Sequence, residues 1–138
     1  MTPAANNAFT LAVTATAASA GFAILTTDPT PELTRDRSWR EGFKELAKRN
    51  LTFDAWLYHP QIMEIAELAD AFPETQIVLD HLGLEQPFEP PAPAQPWKEL
   101  PHVLKLAANK NIAIKITGAC TLSHQKFPYK DIWDPLAR

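Results

Sequence analysis

The fold of this chain is constrained most by segment 77–83, whose sequence is IVLDHLG. An apolar run rich in β-branched residues is typical of a strand buried on both faces, as the strands of parallel sheets are. Titratable side chains are costly in such a strand unless they lie in a site at its end. In α/β folds that carboxyl end is where ligands bind. The segment therefore predicts a parallel sheet and makes His81 the first candidate functional residue.

Apolar periodicity predicts that helices and strands alternate along most of the chain. The first helix is expected to be capped by Asp36 or Ser38, and the third to start at Trp97 or Pro101. Because helices that connect apolar strands form crossovers, the strands are expected to be parallel. The expected helices cover 36–48, 60–72 and 97–109, and the expected strands cover 51–58, 76–81 and 111–117.

Three predicted strands are too few for a closed fold. A closed (β/α)8 barrel needs about 200 residues or more, whereas this chain has 138. We therefore expect an α/β fold that is a partial (β/α)8 barrel of about three parallel βα units, incomplete at both ends. A small flavodoxin-like binding domain also fits the alternation, although the chain has no glycine-rich phosphate loop. The proline-rich segment 87–96 is expected to be an irregular loop, since proline neither donates to a ladder nor continues a helix.

Charge and cysteine content exclude several classes of function. The formal net charge of −3 gives no electrostatic reason to expect nucleic acid or an anionic membrane as a partner. Cys120 is the single cysteine, which excludes an intrachain disulfide and a cysteine-based structural zinc site. No activating base accompanies it in the sequence, so we expect a packed thiol. A reducing, cytoplasmic setting is the default for such a chain.

The first 27 residues contain no charged side chain and are rich in Ala and Thr. Segment 11–25 resembles the core of a signal peptide, but no Lys or Arg precedes it. It is also too short and too rich in Thr and Ala to span a membrane. The segment is open to interpretation as signal-like, as a poorly ordered tail or as a remnant of a barrel strand and helix, and we favour the last two. We separate 1–27 from a barrel domain over 28–138.

Polar side chains follow each of the three predicted strands. Neighbouring parallel strands lie about 4.8 Å apart, so these ends are expected to converge on one pocket. Tyr58 is expected to bind substrate there, while His59 either binds substrate or caps the following helix. The three polar segments are 58–61 (YHPQ), 80–83 (DHLG) and 115–118 (KITG).

The remaining candidates each have a structural alternative. His81 is suited to metal ligation, carbonyl polarisation or proton transfer, and its alternative is a core histidine bonded to the backbone. Asp80 alternates to the other side of the strand and is interpreted as a buried anchor, bonded to backbone amides or an arginine. Lys115 either extends to the barrel mouth or binds an anionic substrate group. Asp54 lies early in its strand, which favours a structural role.

Four segments together resemble amidohydrolase-related proteins of the amidohydrolase superfamily, most nearly the sugar-lactone and pyrone-dicarboxylate lactonases. The resemblance covers about 28–118, in the order and spacing of that family. The segments are 38–43 (SWREGF), 51–61 (LTFDAWLYHPQ), 77–83 (IVLDHLG) and 114–118 (IKITG).

The resemblance implies a (β/α)8 barrel that hydrolyses a lactone or a similar cyclic ester or amide. In that family water attacks the carbonyl, assisted in many members by a divalent metal such as zinc. The resemblance places His81 at the strand-end histidine that contacts the metal or the scissile carbonyl. It makes Tyr58 and Lys115, with His59, candidates for binding a small-molecule substrate.

The chain also departs from the family pattern at both ends. None of its histidines forms the His-x-His pair of the first strand, and Trp133-Asp134-Pro135 only superficially matches the family's last-strand Asp. A single histidine cannot hold a catalytic zinc, which normally has three protein ligands. We therefore expect no metal to be bound by this chain alone and its hydrolase activity to be impaired. The alternative is an inactive barrel fragment that acts as a binding or assembly module, self-associating through exposed barrel edges.

Overall fold

A five-stranded sheet forms the centre of the computed structural model, which describes residues 12–16, 19–25, 33–57 and 61–137. The strands lie side by side in chain order. The first pair is antiparallel, and every later pair is parallel. The strands are β1 (Ala12–Thr16), β2 (Ser19–Leu25), β3 (Thr52–Trp56), β4 (Ile77–Leu79) and β5 (Ile112–Ile114).

Helices connect the parallel strands from β3 onward, which confirms the predicted α/β fold. Short 3₁₀ turns precede or follow several of these elements. The helices are α1 (Arg37–Lys48), α2 (Ile62–Ala71), α3 (Leu100–Leu104) and α4 (Trp133–Leu136). The 3₁₀ turns are Leu33–Arg35, Asp80–Gly83, Lys105–Ala108, Ala119–Leu122 and Lys130–Ile132.

Helix α1 follows directly from its local sequence. The Asp36 carboxylate accepts a hydrogen bond from the Trp39 amide at 2.8 Å, which satisfies one of the free amides of the first turn. Trp39 stacks on Phe43 with ring centroids 5.2 Å apart, and Phe43 meets Phe53 of β3 edge-on at 5.0 Å. This aromatic cluster fixes the helix against one face of the sheet.

The two faces of the sheet have different surroundings. Side chains that alternate toward the helices are buried, and they form one core with the inward-facing residues of α1 and α2. On the opposite face Asp54, Trp56 and Val78 are half-buried, and Ala113 is exposed. That second face, here called the open face, carries the polar residues of interest. The buried members of β3 and β4 are Phe53, Ala55, Ile77 and Leu79.

Three expected elements are shorter than the sequence suggested. The strand expected over 76–81 ends at Leu79, because the next four residues form a turn. The strand expected over 111–117 ends at Ile114, which is the residue paired with Leu79. Because β4 has ended, β5 has no neighbouring strand on that side with which to continue its backbone hydrogen bonds. The third helix ends at Leu104 and passes into the 3₁₀ turn.

Three further observations bear on the sequence expectations. Strands β1 and β2 lie within segment 1–27, and β2 pairs in parallel with β3. Cys120 is exposed, so the expectation of a packed thiol is wrong: its neighbours Ala119 and Leu122 face the core instead. Within the described residues no helix has the length and apolar character that a membrane span requires.

Candidate functional site

The site is built on a left-handed turn at the carboxyl end of β4. His81 has φ 53° and ψ 40°, Leu82 has φ 62°, and Gly83 has φ 61°. Residues with side chains rarely adopt such values, so they persist only where the surroundings enforce them. The turn is fastened to the next strand because the Leu82 amide donates to the Lys115 carbonyl at 3.1 Å. Because the backbone turns here, strict strand alternation no longer governs where His81 points.

The His81 ring lies at the open face and not in the helix-covered core. Its Nδ1 is 2.9 Å from the Thr117 hydroxyl. It makes an edge-type contact with the ring of Trp56, with centroids 5.3 Å apart and planes at 63°. Nε2 has no hydrogen-bond partner among the described residues. The ring is therefore fixed through one nitrogen and one aromatic contact, with its second nitrogen free to meet a ligand.

Gln86 joins the two loops that carry this pair. Its Nε2 donates to the His81 carbonyl at 3.1 Å and to the Thr117 carbonyl at 2.8 Å. The adjoining Gly118 has φ 71°, and a Cβ at that position would lie 1.8 Å from Gln86 Oε1. Glycine is therefore required there both by the backbone and by the close approach of Gln86.

An ion cluster lies on the same face of the sheet. The ammonium of Lys115 is 2.5 Å from Asp80 Oδ1 and 3.3 Å from Asp54 Oδ2. The Asp80 side chain is 10% exposed and that of Lys115 is 40% exposed. The hydrogen bond to Asp80 raises the pKa of Lys115 above its usual value, and the charges of Asp80 and Asp54 add to this, against an opposing effect of burial.

The structure brings together some of the residues predicted from sequence. His81 and Lys115 follow adjacent strands, as expected, and Asp80 is a buried anchor whose partner is Lys115 rather than an arginine or backbone amides. Tyr58 and His59 lie outside the described residues. Of the three strand ends predicted to converge, the contact between His81 and Thr117 joins those that follow β4 and β5.

Two residues of the site were missed in the sequence. Trp56 had a detectable signal, since it occupies the open-face register at the end of β3. Gln86 had none, because it lies in an irregular loop whose path depends on the folded neighbours.

The described residues do not fit a catalytic divalent metal. Within 33–57 and 61–137 no group of three or more His, Cys, Asp and Glu side chains is arranged to hold an ion. The two carboxylates closest in sequence and register to His81 are occupied by the Lys115 ammonium.

A family model and a curated protein match the sequence of this chain. A model of the amidohydrolase family matches residues 8–138. The uncharacterized protein y4mH of Sinorhizobium fredii is 42% identical over 88 residues, which are 64% of this chain and 28% of y4mH. The family match begins inside the N-terminal segment that the sequence resemblance left out.

Two solved structures are similar to the chain. An amidohydrolase of Burkholderia multivorans with bound HEPES superposes with a TM-score of 0.66 at 18% identity, over 85% of this chain and 44% of that one. Amidohydrolase 2 of Bifidobacterium longum subsp. infantis gives a TM-score of 0.48 at 20% identity, over 75% and 36%. The first likeness confirms the predicted partial (β/α)8 barrel. The chain spans less than half the length of these proteins.

Proposed function

Because the chain belongs to the amidohydrolase family, we propose that it forms part of a barrel that hydrolyses a lactone or a similar cyclic ester or amide. In this reaction water adds to the carbonyl carbon, the ring C–O or C–N bond breaks, and a proton from the water ends on the leaving group. The superfamily generally uses a divalent metal ion. No group of the described residues fits such an ion.

The observation that carries this proposal is the position of the His81 ring and its contacts. Its ring stands at the carboxyl end of a parallel strand, where barrel enzymes place their reactive groups. Nδ1 lies at hydrogen-bond distance from the Thr117 hydroxyl, and the ring contacts that of Trp56. Nε2 is the atom left to contact the substrate. We propose that His81 contacts the scissile carbonyl, whose oxygen gains negative charge as water adds to the carbon.

Lys115 is assigned a supporting role in substrate binding. Its ammonium has three N–H donors, of which two point to Asp80 and Asp54. The third is available to a neutral oxygen of the substrate. Tyr58 and His59 complete the proposed pocket on sequence grounds. Water activation is assigned to the family's first-strand histidine pair and last-strand acid, so this chain alone is expected to be impaired.

The test combines binding with turnover. The purified 138-residue chain is titrated with γ- and δ-lactones while the ring resonances of His81 are followed by NMR, and hydrolysis is measured by acid release. We expect saturable shifts of His81 with turnover near the uncatalysed rate. His124 is an exposed loop histidine and serves as the matched control.

Two results would overturn parts of this assignment. If no lactone or cyclic amide moves the His81 resonances beyond those of His124, the substrate role of His81 is wrong. If the chain hydrolyses lactones rapidly and His81→Ala abolishes that activity while His124→Ala does not, the proposed impairment is wrong.

A second proposal rests on the edge of the sheet. Within the described residues β5 is paired with β4 alone, so the backbone groups on its other edge have no ladder partner, although the Ile112 amide donates to the Asn109 carbonyl at 3.3 Å. Such edges pair with other chains. We expect self-association through β5, measured as a concentration-dependent sedimentation coefficient. A single monomeric species across the concentration range would contradict it.

A further inference from the structure

We propose that Thr117, fixed by Gln86, is a positioning residue that makes His81 a hydrogen-bond donor through Nε2. The inference rests on the proposed function in taking His81 as the residue that meets the substrate carbonyl. It adds that Nε2 is the nitrogen that meets the carbonyl, that Nε2 carries the imidazole proton, and that Thr117 and Gln86 impose this form.

The contact between Thr117 and His81 fits either tautomer, and the proposal makes the Thr117 hydroxyl its donor. A neutral imidazole carries one proton, and the hydrogen bond at one nitrogen determines what the other presents. The Thr117 hydroxyl lies 2.9 Å from Nδ1, and it has no other acceptor among the described residues. When the hydroxyl donates to Nδ1, its proton is used within the protein. The imidazole proton then resides on Nε2, which faces outward as a donor.

Thr117 can impose this form only if its own position is fixed. Thr117 is exposed and lies beyond the end of β5, so the ladder does not hold it. Gln86 supplies the constraint, because its amide group donates to the carbonyls of both Thr117 and His81. Gln86 therefore ties the two loops together. Gly118 keeps the space that the Gln86 side chain occupies.

The strained backbone of His81 is consistent with this constraint. A φ of 53° costs about 1 kcal/mol for a residue with a side chain. Such a conformation persists when neighbouring contacts over-determine it, as Gln86 and the Leu82–Lys115 backbone bond do here. A donor at Nε2 matches an oxygen that becomes negative during the reaction, which is the charge that a positioned N–H stabilises.

The test reads the tautomer directly and needs no substrate. Long-range ¹H–¹⁵N spectra of the full chain are recorded in alkaline buffer at about pH 8.5. In the wild type we expect the His81 signature of a protonated Nε2 and an unprotonated, hydrogen-bonded Nδ1. Thr117→Val keeps the shape but removes the hydroxyl, so the two nitrogen shifts should move toward each other as the tautomers mix. Thr117→Ser should restore the wild-type pattern.

Thr121 provides the matched control. Its hydroxyl donates to the Gly118 carbonyl at 2.8 Å and does not touch His81. Thr121→Val should therefore leave the His81 nitrogen shifts unchanged. Gln86→Met should reproduce the Thr117→Val effect, because it removes both carbonyl contacts.

Several outcomes would overturn the proposal. A wild-type signature with the proton on Nδ1 would do so without any variant, even if Thr117→Val failed to fold. Unchanged shifts in a folded Thr117→Val would do so as well. Failure of lactone binding would leave these spectra unaffected, so the proposed function and the role of Thr117 can fail separately.

Discussion

Replacing Lys115 with methionine tests whether the ion cluster stabilises the open face. Methionine retains the length of the apolar stem and removes the ammonium. Asp80, whose side chain is 10% exposed, then loses the cation that lies 2.5 Å away. Asp54, 20% exposed, loses a partner at 3.3 Å. Two carboxylates then remain close together in partly buried surroundings, where a charge without a partner is unfavourable.

The expected magnitude lies between two measured limits. Removing one partner of a fully buried ion pair costs about 3–5 kcal/mol, whereas exposed pairs contribute about 0–1 kcal/mol. The Lys115 side chain is 40% exposed, which screens the interaction, although its partner Asp80 is nearly buried. We expect Lys115→Met to lower the free energy of unfolding by about 2 kcal/mol.

Urea unfolding followed by circular dichroism measures this loss. With a slope of about 2 kcal/mol per molar urea, the midpoint should fall by about 1 M. Lys110→Met is the matched control, because Lys110 is exposed and has no ion partner among the described residues. In the double variant Lys115→Met with Asp80→Asn, about 1 kcal/mol should be regained, since the buried charge is gone. Equal midpoints for Lys115→Met and Lys110→Met would refute the reasoning.

Three further predictions concern pH and backbone. Folding raises the pKa of Lys115, so the stability that its ammonium contributes is complete below pH 10.5, the unfolded pKa, and is lost as the pH rises through the folded pKa. The difference in unfolding free energy between the wild type and Lys115→Met should therefore shrink only in alkali. A difference that disappears between pH 7 and 9 would contradict this. His81→Gly should be about 1 kcal/mol more stable than His81→Ala in urea unfolding, because glycine adopts the φ of 53° without strain; equal stabilities would mean that the turn relaxes. Gly118→Ala should lower the free energy of unfolding by about 2 kcal/mol or more. Part of that loss should be recovered in the double variant with Gln86→Ala, which removes the atom 1.8 Å from the new Cβ. If the effects of the two substitutions simply add, there is no clash.

Local features of the fold could be predicted from the sequence, since short-range interactions determine them. Asp36 caps α1 as expected, because a carboxylate three residues before a free amide needs no distant partner. The buried stripe of α2, including Ile62 and Ile65, follows from helical periodicity. The three strands β3 to β5 follow from their apolar runs.

The geometry of the site could not be predicted, since it depends on contacts between loops distant in sequence. The apolar run ending at Leu79 gives no sign that His81 turns left-handed, because the contacts that hold it come from Gln86 and Lys115. Asp54 was interpreted as structural from its place in the strand, but its partner could not be named. Sheet register places it near Lys115, and register is a property of the pairing rather than of any one strand.

The charge of the ion cluster bears on which substrate the open face can accept. The cluster joins two carboxylates, Asp54 and Asp80, to the single ammonium of Lys115, so its formal charge is negative beside His81. A neutral lactone carbonyl can approach the Nε2 of His81 without repulsion, whereas a lactone that bears a carboxylate meets a like charge in a region of reduced dielectric. We therefore expect a neutral δ-lactone to shift the His81 resonances at lower concentration than its carboxylated analogue. Asp54→Asn should narrow that difference, because it removes one negative charge from the cluster. Tighter binding of the carboxylated lactone would show that Lys115 acts as a free cation despite its two partners.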